Sequence, residues 1–251
     1  MADSSDPAPT TAPKPTLRER MTTIQARDGV NNPIRLAIAL APSLAKMPYP
    51  LQRYDDPFLP YSKAVIDTTA DLTAAYVFDL AAYLSVGASG AIALERAIAY
   101  VPSTCMTILH GTFADPTYAD LLAPTAFNTD AATVSPDLFD IPDGIDRFLR
   151  PAHVVFVIRM PRTFSKFNIP DAYSDRVGSL WHNQDHDALA PNHWMVIADG
   201  KSPPGLLWGW YGDSIALAGR GEDFADVIRQ AAIVRRDWLA AHIADAPESG
   251  S

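Results

Sequence analysis

Short apolar runs along this chain alternate with stretches whose apolar residues recur every three or four positions. Ile34 to Leu40, Ala74 to Phe78, Met106 to Leu109, Ala132 to Val134 and Val154 to Ile158 are nearly unbroken apolar runs. That is the pattern of strands buried on both faces. Between them, Pro60 to Leu72 places Ala64, Val65 and Leu72 on one helical side, and Ala88 to Ala99 forms a second helical pattern led by Gly87. Thr117 to Leu122 suits a short helix, while Trp194 to Ala198 and Ser214 to Leu217 read as the late strands. Glu222 to His242 reads as a long closing helix, with Phe224, Val227, Ile228, Ala231, Val234 and Leu239 at helical spacing. Strands alternating with helices over 251 residues predict a parallel α/β architecture of the (β/α)8 barrel size. No internal repeat is present.

Residues 1–22 are rich in Pro, Ala, Ser, Thr and Asp and predict a disordered tail. A single barrel domain is expected over 23–243, with a second disordered tail over 244–251. Hydrophobic content of 48% is ample for a core. A net charge of −9 disfavours nucleic acid or an anionic membrane as partner, because both demand a basic surface. The single cysteine, Cys105, lies in an apolar run and reads as a small core residue; no intrachain disulfide is available to it. No apolar run is long enough to span a membrane and the first twenty residues lack a signal-peptide layout, so the cytoplasm is the expected compartment.

Parallel barrels carry their chemistry on the loops that follow the strands. That rule selects Ala41, Val77 to Asp79, His110 to Asp115, Ser135 to Asp137, Arg159 to Arg162, Asp199 to Trp210 and Asp213. His110 is either a general acid/base, its free pKa lying near neutrality, or a ring that only fills space. Asp115 either pairs with His110 and orients it, or caps the segment containing Thr117 and Tyr118. Trp194, Trp208 and Trp210 either wall a flat apolar ligand or pack the barrel. Arg159 suits a carboxylate or carbonyl clamp, or a surface ion pair. His182 and His186 stand four apart, but Asn, Gln and Asp surround them without a His-Glu-x-x-His pattern; they read as a solvated loop, and no metal site is expected.

Two blocks carry a family resemblance: Ala64-Val65-Ile66-Asp67-Thr68-Thr69-Ala70-Asp71-Leu72, and Gly87-Ala88-Ser89-Gly90-Ala91 continuing through Glu95-Arg96 to Val101-Pro102. With Ala132-Thr133-Val134-Ser135-Pro136, Val155 to Ile158 and Gly221-Glu222-Asp223-Phe224-Ala225, they resemble the long-form bacterial orotidine 5'-phosphate decarboxylases from about Asn32 to Leu239. The resemblance implies a (β/α)8 TIM barrel and a homodimer whose sites are completed across a two-fold. It also implies what is missing. The family's third strand reads Asp-Ala-Lys-Arg-Gly-Asp; here His110 stands for the catalytic aspartate and Thr112 for the proton-donating lysine, and only Asp115 is kept. Ala41 replaces a nucleotide-holding acid, Val77 a lysine, and Asp213 falls at the place of a phosphate-binding arginine; Lys201 or Arg220 would be the substitutes.

The expectation is therefore a repurposed homologue that works without a cofactor on a small, apolar, non-phosphorylated substrate, as a cyclase, isomerase or lyase of specialised metabolism. His110, Asp115 and Thr112 would do the chemistry. Val77, Phe78, Asp79, Phe113, Arg159, Trp208, Trp210 and Asp213 would hold the substrate. A catalytically inactive binding protein and a true orotidine 5'-phosphate decarboxylase are the alternatives.

Overall fold

The computed structural model describes residues 36–149, 153–159, 176–183, 187–197 and 206–242. The two expected tails, His186, Asp199 and Lys201 lie outside them. Eight strands close into a barrel in chain order: β1 Leu36–Leu40, β2 Ala75–Asp79, β3 Met106–Phe113, β4 Ala131–Val134, β5 Val154–Arg159, β6 Val177–His182, β7 His193–Ile197 and β8 Leu206–Tyr211. Closure comes from β8 lying parallel to β1, with Ala37 opposite Trp210 and Ile38 opposite Tyr211. The expected TIM-barrel fold is present.

The barrel departs from the all-parallel form in its last third. The pairs from β1 through β6 are parallel, but β7 runs antiparallel to both β6 and β8. Chain length explains this. Only residues 183–192 join β6 to β7, and only 198–205 join β7 to β8, both shorter than the dozen or more residues a parallel crossover takes. The expected strand over Ser214 to Leu217 is instead the helical turn α5, Asp213–Ala216. Short apolar runs do not separate the two states, and the true last strand hides in Trp208-Gly209-Trp210. Gly209 belongs there because a Cβ would come within 2.6 Å of the Leu239 side chain.

The helical layer covers the outer faces. Helix α1, Phe58–Thr69, buries Phe58, Tyr61, Val65 and Ile66. It is tied to β2 by the hydroxyls of Thr69 and Tyr76, 2.7 Å apart. Two further helices, α2 Leu80–Leu84 and α3 Ala88–Tyr100, follow β2, and α4 Gly144–Leu149 follows β4. The closing helix α6, Phe224–His242, crosses back onto α1, where Arg229 holds both Asp71 carboxylate oxygens and the Thr68 carbonyl. Cys105 is buried, its thiol donating to the Thr73 carbonyl at 3.1 Å, as its apolar setting implied.

Gly90 shows how tightly α2 and α3 are packed, since a Cβ on it would lie 1.8 Å from the Tyr83 carbonyl oxygen. Helix propensity alone favours Gly90→Ala by about 1 kcal/mol. Overpacking against backbone should reverse that sign and destabilise the protein by about 1–3 kcal/mol in urea unfolding. A Gly90→Ala variant as stable as the parent would contradict the packing described.

Candidate active site

Aromatic contacts across the barrel identify its interior. His110 ends the regular part of β3 and Trp210 lies on β8, with β1 and β2 between them, yet their rings meet edge to face with centroids 4.9 Å apart. Such a contact is possible only if both side chains project inward. Deeper in the barrel, the Trp208 and β5 Phe156 rings face each other at a tilt, with centroids 6.4 Å apart. Val77, Ile108 and Met195 are fully buried beside them.

The reversal of β7 brings a second histidine to the same mouth. Because β7 runs downward, its first residue, His193, sits where β6 and β8 end, opposite His182 and Trp210. The rings of His193 and Trp210 lie 5.0 Å apart, and those of His193 and His182 lie 5.2 Å apart. His110, Trp210, His193 and His182 thus form one chain of rings. Asp79, the register partner of His110 on β2, is the acid nearest this group in the sheet. Its Oδ1 accepts from the Ala82 backbone N–H at 2.8 Å, capping α2.

Burial sets the charge of these rings. His110 is half-buried, and its pKa is lowered by loss of hydration, an effect that Asp79 partly offsets. His193 is pushed down to about 4, first by burial and then by His182 and His110. Its Nδ1 is buried with no hydrogen-bond partner among the described residues. Both rings are therefore neutral at pH 7. His110 is held by Thr133 of β4, whose hydroxyl oxygen lies 2.8 Å from the His110 Nδ1 and accepts the Gly111 backbone N–H at 3.2 Å. Among the described residues, no three His, Cys, Asp or Glu side chains converge as metal ligands.

Several expected residues lie elsewhere. Between Leu109 and Phe113 the β3–β4 register jumps, and Gly111 and Thr112 form the bulge. Thr112 sits there exposed with φ of 46°, a region a β-branched residue seldom enters. Its hydroxyl makes no hydrogen bond among the described residues. Phe113 turns to the helical layer, stacking on Tyr118 at 5.1 Å and facing Phe148 at 6.3 Å. Phe78 also faces outward, against Tyr83 of α2 at 6.2 Å.

Asp115 does not orient His110. It is exposed, accepts from the Thr117 N–H and hydroxyl, and caps the 3-10 turn Pro116–Leu122; those two bonds hold its carboxyl below the usual range. It lines an open depression of about 690 Å³ with Asp120, Asp143 and Arg147, outside the barrel. Asp213 starts α5, exposed and ion-paired with Lys46. Arg220 is tied to the Ala45 carbonyl and lies over Tyr49. Arg159 ends β5, but its side chain is outside the described part.

Of the expected site residues, then, the mouth and the space beneath it gather His110, Asp79, Val77, Trp210 and the buried Trp208. His193, which the sequence reading did not single out, joins them with His182 and Thr133, to which that reading gave no role at the site. The parallel-strand rule pointed at the wrong end of β7, towards Asp199, and His182 was read as a loop although it ends β6. Had the short β6–β7 connection been noticed, His193 would have been selected.

No family model matches the chain. In sequence it is 34% identical over 110 residues to the orotidine 5'-phosphate decarboxylase of Herpetosiphon aurantiacus, covering 42% of this chain and 41% of that protein. It is 35% identical over 107 residues to that of Thermomicrobium roseum, covering 41% and 38%. The chain spans less than half the length of these curated relatives. In fold it is similar to a candidate orotidine 5'-phosphate decarboxylase from Streptomyces avermitilis, at a TM-score of 0.63 and 15% identity over 90% of this chain and 96% of that one. The Leishmania donovani OMP decarboxylase gives a TM-score of 0.55 at 20% identity, covering 87% and 98%. Over part of its length in sequence, and over most of it in fold, this chain is similar to orotidine 5'-phosphate decarboxylases.

Proposed function

We propose that this chain is a repurposed member of the family, a lyase, isomerase or cyclase acting on an uncharged, largely apolar small molecule at the barrel mouth. One observation carries the reading: the His110 and His193 imidazoles, both held below the ordinary histidine pKa, surround the Trp210 indole, with Val77 beneath them. The resemblance implies a lysine at Val77 and another at Thr112. Decarboxylation of orotidine 5'-phosphate builds negative charge on a pyrimidine carbon, and a fixed ammonium stabilises that charge before donating the proton. Losing a positioned general acid alone costs about 10²–10⁴ in rate, and a preorganised charge usually contributes more. A neutral mouth suits a substrate whose reaction needs a polarised oxygen or a held conformer rather than a phosphate clamp.

Orotidine 5'-phosphate decarboxylation itself is the second reading, favoured by the named relatives. Incubation with orotidine 5'-phosphate separates the two. The first reading expects carbon dioxide release no faster than a protein-free control; sustained turnover would sink it. On the true substrate, identified among small molecules retained by the purified protein, His110→Ala should lower kcat/KM by about 10²–10⁴. The parent's activity should rise with pH as His110 loses its proton, with a midpoint below its ordinary 6.5, and stay level above it. Full activity in His110→Ala would place the chemistry elsewhere.

The reading includes a homodimer formed through the segment after Asp115, where Tyr118 is 45% exposed. Light scattering at micromolar concentration should return twice the 27.2 kDa of one chain, and a single-chain mass would refute the dimer.

A further inference from the structure

The hydroxyl of Thr133 has one place to send its proton. Thr133 is fully buried on β4, out of contact with bulk solvent. Among the described residues its oxygen has two partners, the Gly111 backbone nitrogen at 3.2 Å and the His110 Nδ1 at 2.8 Å. A hydroxyl carries one proton and two lone pairs. The Gly111 N–H is a donor only and takes a lone pair. The hydroxyl proton therefore goes to His110 Nδ1 or to nothing. Were the imidazole to donate from Nδ1 instead, the Thr133 proton would be stranded in a dry site, a defect folded chains avoid.

We infer that Thr133 is a positioning residue: the relay from Gly111 N–H through the Thr133 hydroxyl to His110 Nδ1 fixes the neutral His110 ring with its proton on Nε2. The bulge at Gly111 and Thr112 is what turns that backbone N–H onto Thr133. His110 then meets its ligand as an uncharged hydrogen-bond donor rather than as a base. A neutral imidazole N–H in a desolvated pocket polarises a carbonyl or enolate oxygen without bringing in a full charge. The ligand atom assigned to this site is such an oxygen on an otherwise apolar molecule. That assignment rests on the proposed function; the tautomer does not.

The groups facing His110 are Asp79 on β2, Thr133 on β4, His193 on β7 and Trp210 on β8. Histidine labelled with nitrogen-15 in the full chain reports which ring nitrogen carries the proton, with no substrate needed. Above its midpoint, His110 should show a protonated Nε2 and a bare Nδ1. A bond accepted by Nδ1 exists only in the neutral ring and holds the midpoint down. Thr133→Val should therefore raise the His110 midpoint by about 0.5–1 pH unit, and Thr133→Ser should restore it.

If His110 were the donor, the bond would strengthen on protonation and its loss would lower the midpoint. A protonated Nδ1 in the parent, or a midpoint that falls or stays put in Thr133→Val, overturns the inference. Should Thr133→Val fail to fold, the parent's tautomer decides alone. An inactive protein with a protonated Nε2 would sink the proposed function and leave this inference standing.

Discussion

The direction of β7 is the constraint on which the site depends. In this barrel β8 returns parallel to β1, and the connections on either side of β7 are too short for crossover helices. One strand reversed between two tight connections meets both demands. The consequence is chemical as well as topological. In a parallel barrel the first residue of the seventh strand lies at the floor; here it is His193, at the mouth, in register with Trp210 on one side and His182 on the other. Trp210 in turn reaches across the interior to His110.

Crowding rings in this way settles their charge. Two imidazolium groups at the 5.2 Å spacing of His182 and His193 repel by at most about 3 kcal/mol at an effective dielectric near 20. Burial adds a second penalty against a charged His193. Both push the same way, so the inner ring gives up its proton. Asp79 pulls His110 the other way but does not outweigh burial.

Much of this was legible in the residues, and the failures have physical causes. The early strands and the helices between them follow from apolar runs and helical spacing, and the structure keeps them within a few residues: Met106 to Leu109 extends to Phe113, and Ala88 to Ala99 ends at Tyr100. The inner face of β2 was readable too, because period-2 alternation sets Val77 and Asp79 opposite Phe78. That same alternation, applied to Phe78 and Phe113, would have assigned both to the helical layer. What could not be read was pairing between strands. Thr133 became important because it lies beside His110 across β3 and β4, and a bulge in that pairing is invisible in one strand's sequence. Asp115 misled because an acid two residues before a threonine serves equally well as a cap or as a catalytic partner, and the local bonds to Thr117 won.

The claim that everything else rests on is that burial favours the uncharged form of the His110 and His193 rings at the barrel mouth. Proton-detected titration of the histidine rings, assigned by His110→Gln, His182→Gln and His193→Gln variants, measures this directly. The account predicts a His193 midpoint near 4 and a His110 midpoint below 6.5. It also predicts that His182→Gln raises the His193 value, because a neighbouring positive charge is removed. Midpoints at or above 6.5 for both rings would mean a cationic mouth, and would contradict it.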